Sequence, residues 1–227
     1  MSTSSANSTH IAPAGLQQLV ALAAAQPLAP ACDHFYFLRH GQTECNARRI
    51  FQSVEEPLSA LGVQQAVRAA EVLAGEPIRS IVSSNVLRAL TTAHAVSAPH
   101  ALAPLVHEGL RERNFGELIG SSSAHIDWAC EPAGGETLPE FVERKRAAFE
   151  FALAQPAPVL VVAHGGSLYV LAALLGVPLD MALLGNAQPL RFERDPQPRQ
   201  GGQDPQAWRV RPLMQQVEGG AAPAAIA

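Results

Sequence analysis

Residues 35–46 read Phe-Tyr-Phe-Leu-Arg-His-Gly-Gln-Thr-Glu-Cys-Asn, and this stretch decides how the chain folds. Its first four residues form a continuous apolar run, the pattern of a strand buried on both faces of a parallel sheet. The run ends abruptly in Arg39, His40 and Gly41. Because parallel strands deliver ligand-binding residues at their carboxyl ends, the sequence predicts that this triplet meets a ligand at a sheet edge.

The residue types after this strand indicate a phosphate site that contains a nucleophile. The guanidinium of Arg39 offers forked donors that match phosphate oxygens two at a time. His40 would attack phosphorus through a neutral ring nitrogen, while its other nitrogen is held by a hydrogen bond, expected to come from the backbone, that fixes the tautomer. Gly41 lets the backbone approach closely.

This triplet with Thr43 resembles the Arg-His-Gly-x-Thr signature of the histidine phosphatase superfamily, the phosphoglycerate-mutase-like enzymes. Five further stretches agree with that family in the same order, so chance agreement is a poor explanation. They are 57–66 (a helix entry), 83–89 (Ser-Ser-Asn-Val-Leu-Arg-Ala), 110–116 (Leu-Arg-Glu-Arg-Asn-Phe-Gly), 134–137 (Gly-Gly-Glu-Thr) and 161–166 (Val-Val-Ala-His-Gly-Gly). The resemblance extends from residue 35 to about residue 190.

The resemblance implies a role for each matching residue. His40 is the nucleophile and forms a phosphohistidine, and Arg39 and Arg88 bind the phosphoryl oxygens. His164 follows a buried strand and precedes Gly165 at a helix amino terminus, where the helix dipole favours an anion. His164 is therefore expected to stabilise the transferred phosphoryl group, with Gly165 beside it.

Two further residues are expected at the substrate. Asn46 matches the family's amide donor on the other side of the phosphate, although an Asn after a strand often only caps a turn. Gln52 lies in the substrate-facing stretch where the family often has glycine.

Glu112 is the candidate general acid and base. The like charge of a bound phosphate dianion favours the protonated form of a neighbouring carboxyl, which can then protonate the leaving alkoxide. Glu108 and Glu117 are near in sequence, but only Glu112 matches the family's Leu-x-Glu-x-x-x-Gly pattern. The alternative is a loop salt bridge from Glu112 to Arg111 or Arg113.

Composition argues against several classes of function. The net charge is −4 with dispersed basic residues, which argues against nucleic acid or an anionic membrane as partner. Lys145 is the only lysine, and it lies in the middle of a predicted helix. P-loop nucleotide chemistry and Schiff-base chemistry therefore lack a lysine at the position where each needs one. Cys32, Cys45 and Cys130 share no metal-ligand spacing. We expect a cytoplasmic protein, monomer or homodimer, that uses no metal and no cofactor.

The chain of 227 residues is predicted to hold a single domain at 32–215, after a tail and short helix at 1–31 and before a disordered tail at 216–227. Residues 14–25 are predicted to form an amphipathic helix on the domain rather than a secretory signal, because no Lys or Arg precedes Arg39. Residues 1–10 are expected to be disordered and residues 195–204 to form a mobile loop.

Alternating strands and helices predict an α/β fold: a three-layer α/β/α sandwich with a mostly parallel central sheet, similar to phosphoglycerate mutase. Strands are expected at 34–38, 78–82 and 158–163, with two late strands at 188–193 and 207–213 as an antiparallel edge. Helices are expected at 59–74, 86–97, 137–154 and 166–175. Residues 121–133 are long enough for one small helix.

The sequence predicts a phosphomonoester hydrolase that acts through phospho-His40 on a small-molecule phosphomonoester. The closest alternative is a cofactor-dependent phosphoglycerate mutase, which shares the catalytic residues and for which Arg113 stands where a substrate carboxylate could be bound. A phosphoester-binding pseudoenzyme is less favoured, because no catalytic position is lost. Sugar phosphates, nucleotides, cobalamin precursors and phosphoproteins all remain open as substrates.

Overall fold

The computed structural model of the chain describes residues 14–196 and 207–214. Within these residues the α-helices are Leu16–Ala24 (α1), Glu44–Arg48 (α2), Ala60–Leu73 (α3), Leu87–Ser97 (α4), Leu138–Leu153 (α5) and Gly165–Leu174 (α6). The strands are His34–Arg39 (β1), Ser80–Ser83 (β2), Leu105–Val106 (β3), Val159–Ala163 (β4), Pro189–Arg194 (β5) and Trp208–Pro212 (β6). Short 3₁₀ turns lie at Ala98–His100, Glu108–Leu110, Gly116–Leu118 and Met181–Leu184.

The strands form one sheet in the order β3-β2-β4-β1-β5-β6. The first four of these are parallel to one another, and β5 and β6 are antiparallel. The predicted mostly parallel sheet and its late antiparallel edge are therefore confirmed. β1 lies between a parallel neighbour, β4, and an antiparallel one, β5.

The apolar run in β1 is explained by burial on both faces of the sheet. Phe35 and Phe37 point into one hydrophobic cluster, and Tyr36 and Leu38 into a second cluster on the opposite face. All four side chains have 0% exposure. Alternate residues of β4 divide between the same two clusters, so neither central strand has a polar face.

Helices cover both faces, as the predicted three-layer sandwich requires. Residues of α3 and α4 belong to one cluster, and residues of α1, α5 and α6 to the other. Every residue of α6 is buried, so this helix needs cover on its outer side as well. α1 packs against α6 and supplies part of that cover. Its buried residues are Leu16, Leu19 and Ala23.

The amphipathic helix predicted at 14–25 is confirmed as α1. The domain boundary predicted at residue 32 stays a prediction. The buried residues of α1 share a hydrophobic cluster with residues that follow this boundary. The predictions for residues 1–10, for most of the loop at 195–204 and for the tail at 216–227 lie outside the described residues.

Two short elements were not predicted from the sequence. β3 has two exposed residues, and α2 has five residues and depends on a capping box at Thr43. The segment 121–133, which is long enough for one small helix, consists of turns and isolated bridges. Its backbone bonds other segments instead, from Ser123 N to Arg49 O at 2.7 Å and from Trp128 N to Ala14 O at 2.8 Å.

A close contact between two backbones fixes the segment that follows β1. A Cβ atom on Gly62, in the first turn of α3, would overlap the carbonyl oxygen of Gln42 and lie 2.8 Å from its nitrogen. A Cβ atom on Gly41 would overlap the carbonyl oxygen of Gly62. Gly41 N also donates to Thr92 Oγ1 of α4 at 3.0 Å. The absence of a side chain at Gly41 thus allows close contact with α3, a role that the sequence did not predict.

Gly62→Ala is expected to displace the His40 segment and to lower both stability and activity. Overpacking costs about 1–3 kcal/mol, which outweighs the roughly 1 kcal/mol that Ala gains over Gly in a helix. Gly75→Ala is the matched control, because a Cβ atom there meets nothing within 4 Å. Urea unfolding should separate the two variants, and a Gly62→Ala protein as stable as the Gly75→Ala protein would contradict the contact.

Candidate active site

The parallel pairing of β1 with β4 brings two histidines together at the carboxyl edge of the sheet. Arg39 pairs with Ala163 in the ladder, and His40 N donates to Ala163 O at 3.0 Å. His164 is the next residue of the neighbouring strand and precedes α6. The two imidazole ring centroids lie 5.1 Å apart with an interplanar angle of 61°.

The hydrogen bonds of His40 determine which of its nitrogens carries the proton. Nδ1 lies 2.7 Å from the carbonyl oxygen of Gly41, which can only accept, so Nδ1 is protonated. Nε2 then bears a lone pair, and it accepts a hydrogen bond from Arg88 Nε at 3.3 Å. The expected backbone bond to His40 is present, and Nε2 is the nitrogen able to attack.

Both active-site histidines are held in the neutral form. Burial lowers the pKa of His40 well below 6.5, and the charges of Arg88 and Arg39 lower it further. The pKa of His164 is lowered in the same way by burial and then by Arg88. A neutral imidazole at pH 7 is the form that a nucleophile requires.

Arg39 and Arg88 place two buried positive charges beside His40. Their exposures are 2% and 3%, and burial lowers the pKa of each to about 10, so both remain charged at neutral pH. Arg39 Nη1 donates to Leu184 O at 2.7 Å, and Arg88 Nη1 to Ser53 O at 2.8 Å. The charge of this pocket is suited to an anion.

Two buried nitrogens at the same place have no hydrogen-bond partner in the described chain: Arg39 Nε and His164 Nδ1. The other ring nitrogen of His164 lies 3.0 Å from Ser84 Oγ, at the end of β2. Buried polar groups without partners are rare in folded proteins and call for an explanation. Oxygen atoms of a bound phosphoryl group would supply the missing partners.

Glu112 is anchored through both oxygens of its carboxylate. Oε2 accepts from Gly166 N of α6 at 2.8 Å, and Oε1 accepts from Arg113 N at 2.9 Å. A Cβ atom on Gly166 would overlap Oε1, so glycine is needed at that position. The charge of Glu112 acts on Arg39 and Arg88, which places the carboxylate at the same site.

The salt bridges considered for Glu112 are not found among the described residues. Arg111 Nε donates instead to Asn85 Oδ1 at 2.6 Å, and the guanidinium of Arg113 binds backbone carbonyls. Glu108 and Glu117, the neighbouring acids, are both exposed. Glu112 is thus the acidic side chain of this loop that contacts α6, at Gly166, two residues after His164.

Asn46 and Gln52 belong to a polar cluster behind His40. The amide oxygen of Asn46 accepts from Thr43 N and from Asn186 Nδ2, each at 3.3 Å, so the turn-capping alternative is realised. Thr43 Oγ1 donates to Gln52 Oε1 at 2.8 Å. Asn186 Nδ2 also donates to His40 O at 3.0 Å. Asn186 lies outside every motif, so reasoning from the sequence missed it.

Arg113 has a structural use that the sequence did not predict. Its guanidinium is buried and donates to the carbonyl oxygens of Trp128, Cys130 and Glu136, with Nη1 2.6 Å from Trp128 O. These bonds tie the end of the 121–133 segment to the loop that carries Glu112. Arg113 is therefore occupied by backbone oxygens rather than presented to a substrate.

A second arginine fixes the other side of the Glu112 loop. Arg144 forms a two-bond ion pair with Glu136 at 2.6 and 2.7 Å and donates to Glu112 O at 3.3 Å. A cavity of about 470 Å³ opens beside this ion pair, on the side of the loop lined by Arg111 and Gly109. His40 does not line it. The cavity therefore neighbours the acid loop rather than the nucleophile.

In the described part of the chain, no group of three or more His, Cys, Asp or Glu side chains is placed to hold a metal ion. Across the same residues, no helix combines the length and apolar character needed to cross a membrane. Cys32, Cys45 and Cys130 are all free thiols.

Comparison with known proteins places this geometry in a family. Residues 35–197, more than two thirds of the chain, match the model of the histidine phosphatase superfamily (branch 1). The chain belongs to branch 1 of this superfamily. All of the predicted site residues lie inside the matched region.

Relatives within the histidine phosphatase superfamily carry different activities. A glucosyl-3-phosphoglycerate phosphatase of Mycolicibacterium vanbaalenii is 36% identical over 66% of this chain and 79% of its own. A probable phosphoglycerate mutase of Proteus mirabilis is 34% identical over 63% of this chain and 75% of its own. A solved mycobacterial glucosyl-3-phosphoglycerate phosphatase in complex with VO3 has a TM-score of 0.60 and 33% identity, covering 71% of this chain and 93% of that one.

The neutral state of the buried histidines predicts how stability depends on pH. The unfolded chain protonates these rings below pH 6.5 and the folded chain does not, so stability falls as the pH drops from 7 to 5.5. Each histidine should contribute about 1 kcal/mol to that loss. Urea unfolding of His164→Asn should show a correspondingly shallower dependence, whereas a dependence equal to that of the wild type would place a charged His164 in the folded state.

Proposed function

We propose that the chain is a phosphomonoester hydrolase that forms a phosphohistidine at His40. One observation carries the proposal: His40 Nε2 has a lone pair fixed by the Nδ1 bond to Gly41 O and lies beside the buried charges of Arg39 and Arg88. A nucleophile with its tautomer preset and cations around it is the arrangement that phosphoryl transfer needs. Glucosyl-3-phosphoglycerate phosphatases among the relatives support hydrolysis as the outcome.

The first step transfers the phosphoryl group to His40. Arg88 Nε now donates a hydrogen bond to Nε2. When a phosphoryl group approaches Nε2, one of its oxygens accepts this hydrogen bond instead. Arg39 Nε and His164 Nδ1, both without partners in the described chain, bind the other oxygens. Because these groups are held in place before the reaction, little reorganisation is needed as charge develops.

Glu112 serves as the acid in that step and as the base in the next. Its two backbone bonds to Gly166 N and Arg113 N hold the carboxyl beside the phosphoryl site. In the first step the carboxyl gives its proton to the leaving oxygen. In the second, the resulting carboxylate takes a proton from water, which attacks phospho-His40 and releases phosphate. Asn46, Gln52, Gly41 and Gly165 are proposed to line the substrate side of the site.

Two features favour hydrolysis over mutase activity. A mutase must bind the carboxylate of its substrate, and Arg113, the residue considered for this contact, already donates to three backbone carbonyls. A mutase must also keep water from the phosphoenzyme, and residues 121–133 form turns without a helix that could close over the site. Water should therefore reach phospho-His40.

The substrate is proposed to be a small phosphorylated molecule, free in a reducing cytoplasm. Three unpaired cysteines support such a compartment. The site residues of the proposal supply charge through arginines, so activity is expected without a divalent metal. A panel of phosphomonoesters that includes glucosyl-3-phosphoglycerate, 3-phosphoglycerate and phosphoserine, assayed with EDTA, tests substrate and metal dependence together.

Rapid quenching with labelled substrate should trap a phosphoenzyme that is labile to acid and stable to alkali. His40→Ala should form none and should lose at least about 10³-fold in activity, because the covalent route is removed. His125→Ala, a change outside the site, is the control and should leave both properties intact. Full activity in His40→Ala would rule out the proposed nucleophile.

The mutase alternative is tested with 3-phosphoglycerate and a trace of the 2,3-bisphosphate. The proposal expects release of inorganic phosphate. Efficient formation of 2-phosphoglycerate without phosphate release would reverse the assignment.

Glu112→Gln keeps the shape of the side chain but removes its transferable proton. Substrates with alkyl leaving groups should lose about 10²- to 10⁴-fold in kcat, since their oxygens must be protonated, while aryl phosphates with good leaving groups should lose much less in the first step. Single-turnover formation of the phosphoenzyme measures that step alone. Glu117→Gln is the matched control, and equal losses for both leaving groups would mean that Glu112 is structural.

A further inference from the structure

The only lysine of the chain is buried behind the proposed active site. Lys145 lies in the middle of α5 and has 0% exposure. Its Nζ has no hydrogen-bond partner and forms no ion pair among the described residues. Nζ lies over the ring of Phe141, 5.5 Å from its centroid. Lysine is almost never fully buried without a partner, so this position requires an explanation.

α5 packs against the two segments that hold the reactive groups. One is the 3₁₀ turn Glu108–Leu110, which leads directly to Glu112, and the other is α6, which begins after His164. The charge of Lys145 acts on His164, and the charge of Glu112 acts on Lys145. Lys145 is thus electrostatically connected to the acid and to the second histidine of the site.

Two further charges act on Lys145 with opposite sign, and the effect of the arginine is the larger. They belong to Arg144 on its own helix and to Glu136, which form a two-bond ion pair at 2.6 and 2.7 Å. Glu112 also adds negative charge at Lys145, and the same carboxylate acts on Arg39 and Arg88. The protonation of Lys145 should therefore follow the amount of negative charge at the reactive centre.

The resting amine should be neutral. A fully buried ammonium group with no hydrogen-bond acceptor is strongly disfavoured, whereas a neutral amine is tolerated. Burial, followed by the charge of Arg144, lowers the pKa of Lys145 well below 10.5, and the charges of Glu112 and Glu136 oppose that shift. Additional negative charge nearby would oppose it further.

We propose that Lys145 is a proton acceptor behind the phosphoryl site, neutral in the free protein and protonated when a phosphate dianion binds beside His40. The amine lone pair takes one proton from the solvent, and the resulting ammonium adds positive charge behind Glu112 and His164 only while the anion is present. Lys145 touches no reacting atom and is a positioning residue. The inference rests on the proposed function, since it requires a phosphoryl anion at His40.

Having a single lysine permits a direct test. Protein grown with lysine labelled at the side-chain nitrogen and adjacent carbon gives one side-chain signal, which reports on Lys145 alone. Inorganic phosphate is the probe, at a fixed pH near 7.5. The signal should show a neutral amine in the free protein and an ammonium group with phosphate bound. Arg68→Lys, an exposed position on α3, adds a solvated lysine as an internal reference.

Calorimetry of phosphate binding in buffers of different ionisation enthalpy provides the second measurement. Lys145→Met keeps the length of the side chain and removes the amine, so binding should take up about one proton fewer than in the wild type and weaken about three- to tenfold. The melting temperature of this variant should be unchanged or higher, because the change removes a buried polar group. Lys145→Met should therefore be folded, so that its phosphate binding can be measured.

Three outcomes decide the matter. A Lys145 signal that is charged in the free protein, or that stays neutral when phosphate is bound, overturns the proton acceptor and leaves the hydrolase intact. Equal proton uptake on phosphate binding in the wild type and in Lys145→Met would likewise overturn the proton acceptor and leave the hydrolase intact. Failure of phosphate to bind the wild type, together with no phosphoenzyme, would overturn the proposed function and with it this inference.

Discussion

The parallel pairing of β1 with β4 is the constraint on which the site depends. Arg39 pairs with Ala163 at the carboxyl ends of the two strands. His40 and His164, which follow these two residues, therefore lie side by side with their ring centroids 5.1 Å apart. Every other contact in the site is arranged around that pair. Helices are needed on both faces of the sheet because its central strands are apolar on both sides.

The chemistry is supported by groups that are far apart in the chain and are held by backbone atoms. Gly41 O orients the ring of His40, Gly166 N holds Glu112, and Leu184 O binds Arg39. Backbone carbonyl groups, and amide groups except where proline is introduced, are kept when a side chain is replaced, and they move little in a packed fold. Such supports preset the geometry before a substrate arrives, which is the main requirement for electrostatic catalysis.

The strand ends and the longer helices could be read from the sequence because each depends on local pattern, whereas the candidate site residues were named through the family resemblance. The apolar run before Arg39 and the Val-Val-Ala run before His164 indicate buried parallel strands directly. Contacts of Asn186, and the use of Arg113 as a backbone tie, depend on segments distant in sequence and left no local signal. Lys145 shares the buried helical spacing of Phe141 and Phe149, but its residue type predicts solvent exposure, and tertiary packing prevailed.

The hydrogen bonds of Arg113 separate the Glu112 loop from the turns that precede Trp128. Carbonyl oxygens at Trp128, Cys130 and Glu136 are bound to that one guanidinium, whereas the turns at 119–125 lie before the first of these anchors. Replacement of the exposed side chains of Ser121 and Ser122 would leave the Glu112 loop in position, whereas an insertion would break the backbone bonds of Gly120 and Ser123 to residues 49–51. For protein engineering, these exposed side chains are positions that can be changed while the backbone of the Glu112 loop stays fixed.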